Sequence, residues 1–117
     1  METIQHYLTF NEIIKEYKNL HYPGRIYTEA IKQDNFLETQ FWCISSKQAK
    51  DEEQVNTEFG TVPTSLVPFK VKSLLDTGTF QDIIETKIEN TPNLKLTDTA
   101  VFLEALNYYL ENDDFQD

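Results

Sequence analysis

The stretch Phe41-Trp42-Cys43-Ile44-Ser45-Ser46 decides the fold class. Its first four residues are apolar at odd and even positions alike, and strand side chains alternate between faces, so such a strand must be covered on both sides. The pattern predicts the middle strand of a sheet. On its N-terminal side, Arg25 to Ile31 (RIYTEAI) is short, partly β-branched and aromatic, and follows the turn dipeptide Pro23-Gly24, which predicts a second strand. Gln33-Asp34-Asn35 predicts a turn, and the short connection lets the two strands pair as an antiparallel hairpin. On the C-terminal side, residues 69–75 (FKVKSLL) alternate Phe69, Val71 and Ser73 against Lys70, Lys72 and Leu74, the mark of a further half-buried strand.

Helical patterns flank these strands. Thr9 and Glu12 have capping-box spacing: Thr9 is placed to accept from the Glu12 N–H, and Glu12 to reach back to the Thr9 N–H. Phe10, Ile13, Ile14, Tyr17 and His21 share one face of the helix that follows, and Pro23-Gly24 ends it. Asp76-Thr77-Gly78-Thr79 predicts a turn, and Thr79 with Asp82 marks the start of a second helix with the stripe Phe80, Ile83, Ile84 and Ile88, ended by Pro92 and Asn93. The last helix begins at Thr97 or Asp98 and presents Phe102, Leu103, Ala105, Leu106, Tyr109 and Leu110 within one apolar arc. It is expected to end near Asn112, a residue that tolerates the left-handed conformation. The order α, β, β, β, α, α predicts a single α+β domain over residues 1–117, a small antiparallel sheet with helices packed on one face.

Composition bounds the function. A chain of 117 residues buries about two-thirds of its unfolded surface, enough for a core without disulfides or metals. Twenty acidic against ten basic residues give a net charge of −10, which disfavours nucleic acid and anionic membrane and favours a basic protein partner. After Lys95 no basic residue remains, against Asp98, Glu104, Glu111, Asp113, Asp114 and Asp117. The single cysteine and the lack of a charged-then-apolar leader predict a reducing cytoplasm. No stretch approaches the roughly 20 apolar residues of a membrane span.

No catalytic constellation, cofactor motif or metal set emerges. Cys43 lies in the most apolar strand, where a cysteine is a small core residue. His6 and His21 lack the i, i+4 spacing that brings two imidazoles to one metal, and Gly24, Gly60 and Gly78 stand apart rather than forming a phosphate loop. The expectation is a protein that binds rather than an enzyme.

Two stretches are candidates for that binding. Glu111, Asp113 and Asp114 crowd a helix C-terminus where the exposed carbonyls are already partly negative, a placement that costs about 0.3–1 kcal/mol each. Tyr108 stands beside them at the edge of the apolar arc and offers a large contact area with a hydroxyl. Residues 47–60 are polar and without a sustained period, which predicts an exposed loop, and Asp51, Glu52, Glu53 and Glu58 lie in it.

The closing segment from Phe80 to Phe115, with Asn107, Tyr108, Tyr109, Asn112 and Asp113 its most distinctive positions, resembles the C-terminal half of a family of small uncharacterised bacterial domains. These end in an Asn-Tyr-Tyr-x-x-x-Asp pattern. Some proteins of this kind resemble immunity proteins of contact-dependent growth-inhibition and related toxin systems. The resemblance implies a non-catalytic protein that binds a cognate toxin domain, and the acidity implies a basic one such as a nuclease. An acidic nucleic-acid mimic that blocks a DNA- or RNA-binding protein, and a small adaptor, fit the same composition.

Overall fold

A computed structural model describes residues 3–30 and 38–116. Four antiparallel strands form the main sheet: β1 (Gln5–Tyr7), β2 (Gly24–Glu29), β3 (Phe41–Ser45) and β6 (Val71–Asp76), in the order β1-β3-β2-β6. All five residues of β3 are buried, as its two-sided apolarity predicts. Phe41 and Cys43 face one core and Trp42 and Ile44 the other. The predicted hairpin is present, with Ile26 opposite Cys43 and Tyr27 opposite Trp42. Ile31 and the turn predicted at Gln33-Asp34-Asn35 lie outside the described residues.

Helices α1 (Phe10–Lys15), α3 (Thr77–Asn90) and α4 (Thr99–Asn112) pack on the first face. Phe10, Ile14, Phe80, Ile84, Phe102 and Leu106 meet Ile26, Phe41, Cys43 and Leu75 of the sheet there. The fold class is α+β, as expected. The second face is covered by shorter pieces: helix α2 (Ser46–Asp51), the hairpin β4 (Gln54–Thr57) with β5 (Gly60–Pro63), and a 3-10 segment, Thr64–Phe69. Val62 and Leu66 seal Tyr27, Trp42, Ile44 and Val71 beneath them.

Several expectations need correction. Residues 47–60 are not a loop but α2 and most of the β4–β5 hairpin. Both are too short to show a period: α2 is fixed by its cap, the Gln48 N–H donating to Ser45 Oγ at 3.1 Å, and β4 alternates only between exposed and half-buried positions. Strand β1 has three residues and no pattern of its own. Helix α1 stops at Lys15, because the Glu16 N–H is shared between Ile13 and Ile14 carbonyls and the chain tightens into a 3-10 turn, so His21 is not helical. Thr9 caps α1 as predicted, but Glu12 reaches past it to the Leu8 N–H at 2.9 Å.

Asp76, not Thr79, caps α3. Its carboxylate accepts from the Thr79 hydroxyl at 2.7 Å and the Thr79 N–H at 3.1 Å, so the helix begins at Thr77. Phe69 belongs to the 3-10 segment, not to a strand. The strand that follows carries a bulge: Ile26 pairs with Leu75 and Tyr27 with Ser73, leaving Leu74 extra. That residue turns the strand over, so Val71 enters the second core and Leu75, four positions on, the first.

Candidate partner-binding surfaces

Helix α4 is held by Phe102, Ala105 and Leu106, with Leu103 and Tyr109 packed beside them. Leu110, expected in the apolar arc, is 41% exposed, and Tyr108 is 39% exposed. Asp98 does not cap the helix: its carboxylate accepts from the Lys95 N–H at 2.9 Å instead.

The helix ends at Asn112, as expected, but Asn112 is not its left-handed residue. Asp113 adopts the left-handed conformation (φ 55°, ψ 36°), and its N–H donates to the Tyr109 carbonyl at 2.7 Å. The Asn112 side chain donates to the Tyr108 carbonyl at 3.0 Å. These two donors satisfy terminal carbonyls that would otherwise attract Lys or Arg. The chain then folds back. Phe115 packs against Tyr109 with ring centroids 5.3 Å apart, and Gln116 accepts from Lys87 Nζ at 2.9 Å and donates to Glu104 at 3.0 Å. Glu111, Asp113 and Asp114 are thus exposed on a terminus that is packed down, with Tyr108 next to them.

The second acidic group lies on the other side of the sheet. Asp51 ends α2, Glu53 precedes β4 and Glu58 sits in the hairpin turn, all three exposed. Glu52 is different. It is half-buried, and its carboxylate accepts from the Ser65 N–H at 2.8 Å, the Ser65 hydroxyl at 2.9 Å and the Gln48 amide at 2.9 Å. Glu52 therefore pins the 3-10 segment to α2, a role its sequence context does not announce. The structure does not bring the two acidic groups together, because α4 covers the first core and α2 with the hairpin covers the second.

Burial by itself would raise the Glu52 carboxyl, but the Ser65 N–H and hydroxyl and the Gln48 amide outweigh it and hold the group below its ordinary range. A lowered native value means that the stabilisation is complete above the ordinary value of 4.5 and is lost as pH falls through the native value. Glu52→Gln is expected to cost roughly 1 kcal/mol at pH 7 by weakening charge-assisted bonds at a half-exposed site. Urea midpoints for both proteins from pH 7 to pH 3 check this, with the gap closing only below about pH 4.5.

Cys43 is fully buried, and its Sγ lies 3.4 Å from Thr77 Oγ1. Burial raises its thiol, against smaller lowering effects of the Thr77 hydroxyl and the His21 backbone. Among the described residues, no group of three or more His, Cys, Asp or Glu side chains is placed to hold a metal ion, and no helix is long and apolar enough to cross a membrane.

One feature of the second face has no sequence signal. His6, Trp42 and Phe69 form a stack, with centroids 4.8 Å apart for His6–Trp42 and 5.4 Å for Trp42–Phe69. They line an open groove of about 480 Å³. The chain matches no family model, no curated protein and no solved structure.

Proposed function

We propose that the protein is an immunity-type inhibitor that binds a basic toxin domain, such as a nuclease, through the acidic end of α4, and that it acts in the cytoplasm by occupying its partner rather than by chemistry of its own. The observation that carries this reading is the fixed terminus. Glu111, Asp113 and Asp114 face solvent from a segment held by Gln116 and Phe115, so little conformational freedom is lost when a partner docks. Acid crowded at a helix C-terminus, with a left-handed non-glycine residue, opposes local stability. Complementary charge on a basic partner compensates for that and accelerates encounter. Tyr108 supplies the apolar anchor beside the charges.

Co-expression with a toxin domain encoded beside the gene tests the reading. Cells carrying that domain survive with the inhibitor if it holds; equal killing with and without the protein rules it out. The surface is tested by the triple variant Glu111→Gln, Asp113→Asn, Asp114→Asn. Its association rate with the toxin at low salt is expected to fall by about tenfold, with the difference vanishing at high salt and the urea midpoint unchanged or raised. An unchanged association rate would move the site away from α4.

A further inference from the structure

We propose that the groove on the second face is a receptor for an arginine side chain of a basic protein partner. The inference shares with the preceding section only the basic character of the partner, and its site lies on the opposite side of the sheet from α4.

The chemistry of the groove selects its occupant. Trp42 is the buried centre of the stack, 3% exposed, with His6 and Phe69 flanking it. Phe69 is 48% exposed, a large apolar ring left partly uncovered at the groove. Such a shelf favours a flat group laid against it. Thr3, Ile4, Gln48 and Ser65 complete the wall.

The polar part of that wall offers acceptors. The Gln48 amide nitrogen and the Ser65 hydroxyl both donate inward to Glu52. The Ser65 hydroxyl and one Gln48 N–H are therefore engaged, while Gln48 Oε1 is buried with no hydrogen-bond partner among the described residues. A buried acceptor without a partner is costly, and a donor that reaches it recovers part of that cost. Glu52 places a carboxylate directly behind the wall, bonded to Gln48 and Ser65, and that charge opposes an anion in the groove and favours a cation.

A planar, cationic group bearing only donors meets all three conditions. Guanidinium stacks on aromatic faces, carries five N–H donors and is more weakly hydrated than an ammonium, which makes arginine a better occupant than lysine. A carboxylate or phosphate would face the Glu52 charge behind this wall, and a neutral aromatic ring makes no use of that charge.

Trp42 is the only tryptophan, so its fluorescence reports directly on the groove. The probe is a blocked Gly-Arg-Gly tripeptide, with Gly-Lys-Gly and the citrulline analogue as controls, followed by Trp42 emission and by the NMR signals of the Gln48 side-chain amide. The expected result is a saturable change with the arginine peptide at millimolar concentration, at least fivefold weaker with lysine or citrulline. Phe69→Ala, at an exposed ring, and Gln48→Leu, which removes the buried oxygen, should each weaken arginine binding at least fivefold. Absence of saturation, equal binding of lysine or citrulline, or undiminished binding by folded Phe69→Ala would overturn the proposal. Because the probe is a peptide, a negative result leaves the toxin-protection assay of the α4 surface independent of it.

Discussion

Gly24→Ala is expected to destabilise the protein by about 3 kcal/mol or more, enough to lower the thermal midpoint by roughly 10 °C in a chain of this size. Gly24 opens β2 opposite Ser45, and a Cβ there would lie 2.5 Å from the His21 carbonyl oxygen, 2.7 Å from that of Ile44 and 3.0 Å from Thr77 Oγ1. The two shortest approaches are to backbone. Relief would require moving either the chain before β2 or the central strand itself, and close-packed interiors resist such shifts. Gly78 provides the contrast. A Cβ at Gly78 meets the Tyr22 ring edge at 3.0 Å, and Tyr22 is 70% exposed and able to turn aside. Gly78 lies in the first turn of α3, where alanine is the better helix former. Gly78→Ala should therefore leave stability unchanged or raise it by up to about 1 kcal/mol. Thermal melts of the two single variants against the parent measure the contrast, and equal effects would refute the backbone-clash account of Gly24.

Phe102→Ala is expected to cost about 3–5 kcal/mol, a large share of the 5–15 kcal/mol by which domains are stable. The ring is 1% exposed and joins α4 to α1, α3 and the sheet in the first core. Its removal leaves a cavity that helices pinned by their own caps and by Phe80 and Leu106 can fill only in part. Leu110→Ala, on the same helix but 41% exposed, should cost well under about 1 kcal/mol. Urea unfolding followed by Trp42 fluorescence is a sharp test, because Trp42 lies in the second core. If the two cores unfold together, Phe102→Ala shifts the Trp42 transition as far as it shifts the circular dichroism of the helices. Separate transitions would show that the sheet does not couple its two faces.

The identity and order of the larger elements were legible because each is encoded within a few turns of chain. β3 announces burial on both faces in four consecutive apolar residues, α1 carries its own cap in Thr9, and the arc of Phe102, Ala105 and Leu106 sets the buried side of α4. Boundaries were less legible where two chemically similar caps compete. Asp76 and Thr79 are both good N-caps, and only the position of β6 places Asp76 at the start of α3. At the end of α4, Asn112 and Asp113 both tolerate the left-handed region, and Asp113 takes it while Asn112 caps a carbonyl with its side chain.

The acidic end of α4 was visible in the sequence as a violation of the dipole rule. Its anchoring was not, since Gln116 reaches Lys87 and Glu104 across helices that only the packed structure sets side by side. Glu52 illustrates the opposite case: among Asp51, Glu52 and Glu53 the sequence offers three equivalent carboxylates, and the position of Ser65 makes one of them structural.

By itself, then, the sequence determined the α+β class, the central strand, the three helices of the first face with their buried sides, and the accumulation of acid after Lys95. These follow from side-chain period, caps and charge, which act over a few residues. The tertiary structure alone decided what covers the second face, which acid is tied down, and the stack of His6, Trp42 and Phe69 around its groove. Those features join residues tens of positions apart, and they form only when the bulge at Leu74 and the pin at Glu52 turn short, weakly patterned segments onto the sheet.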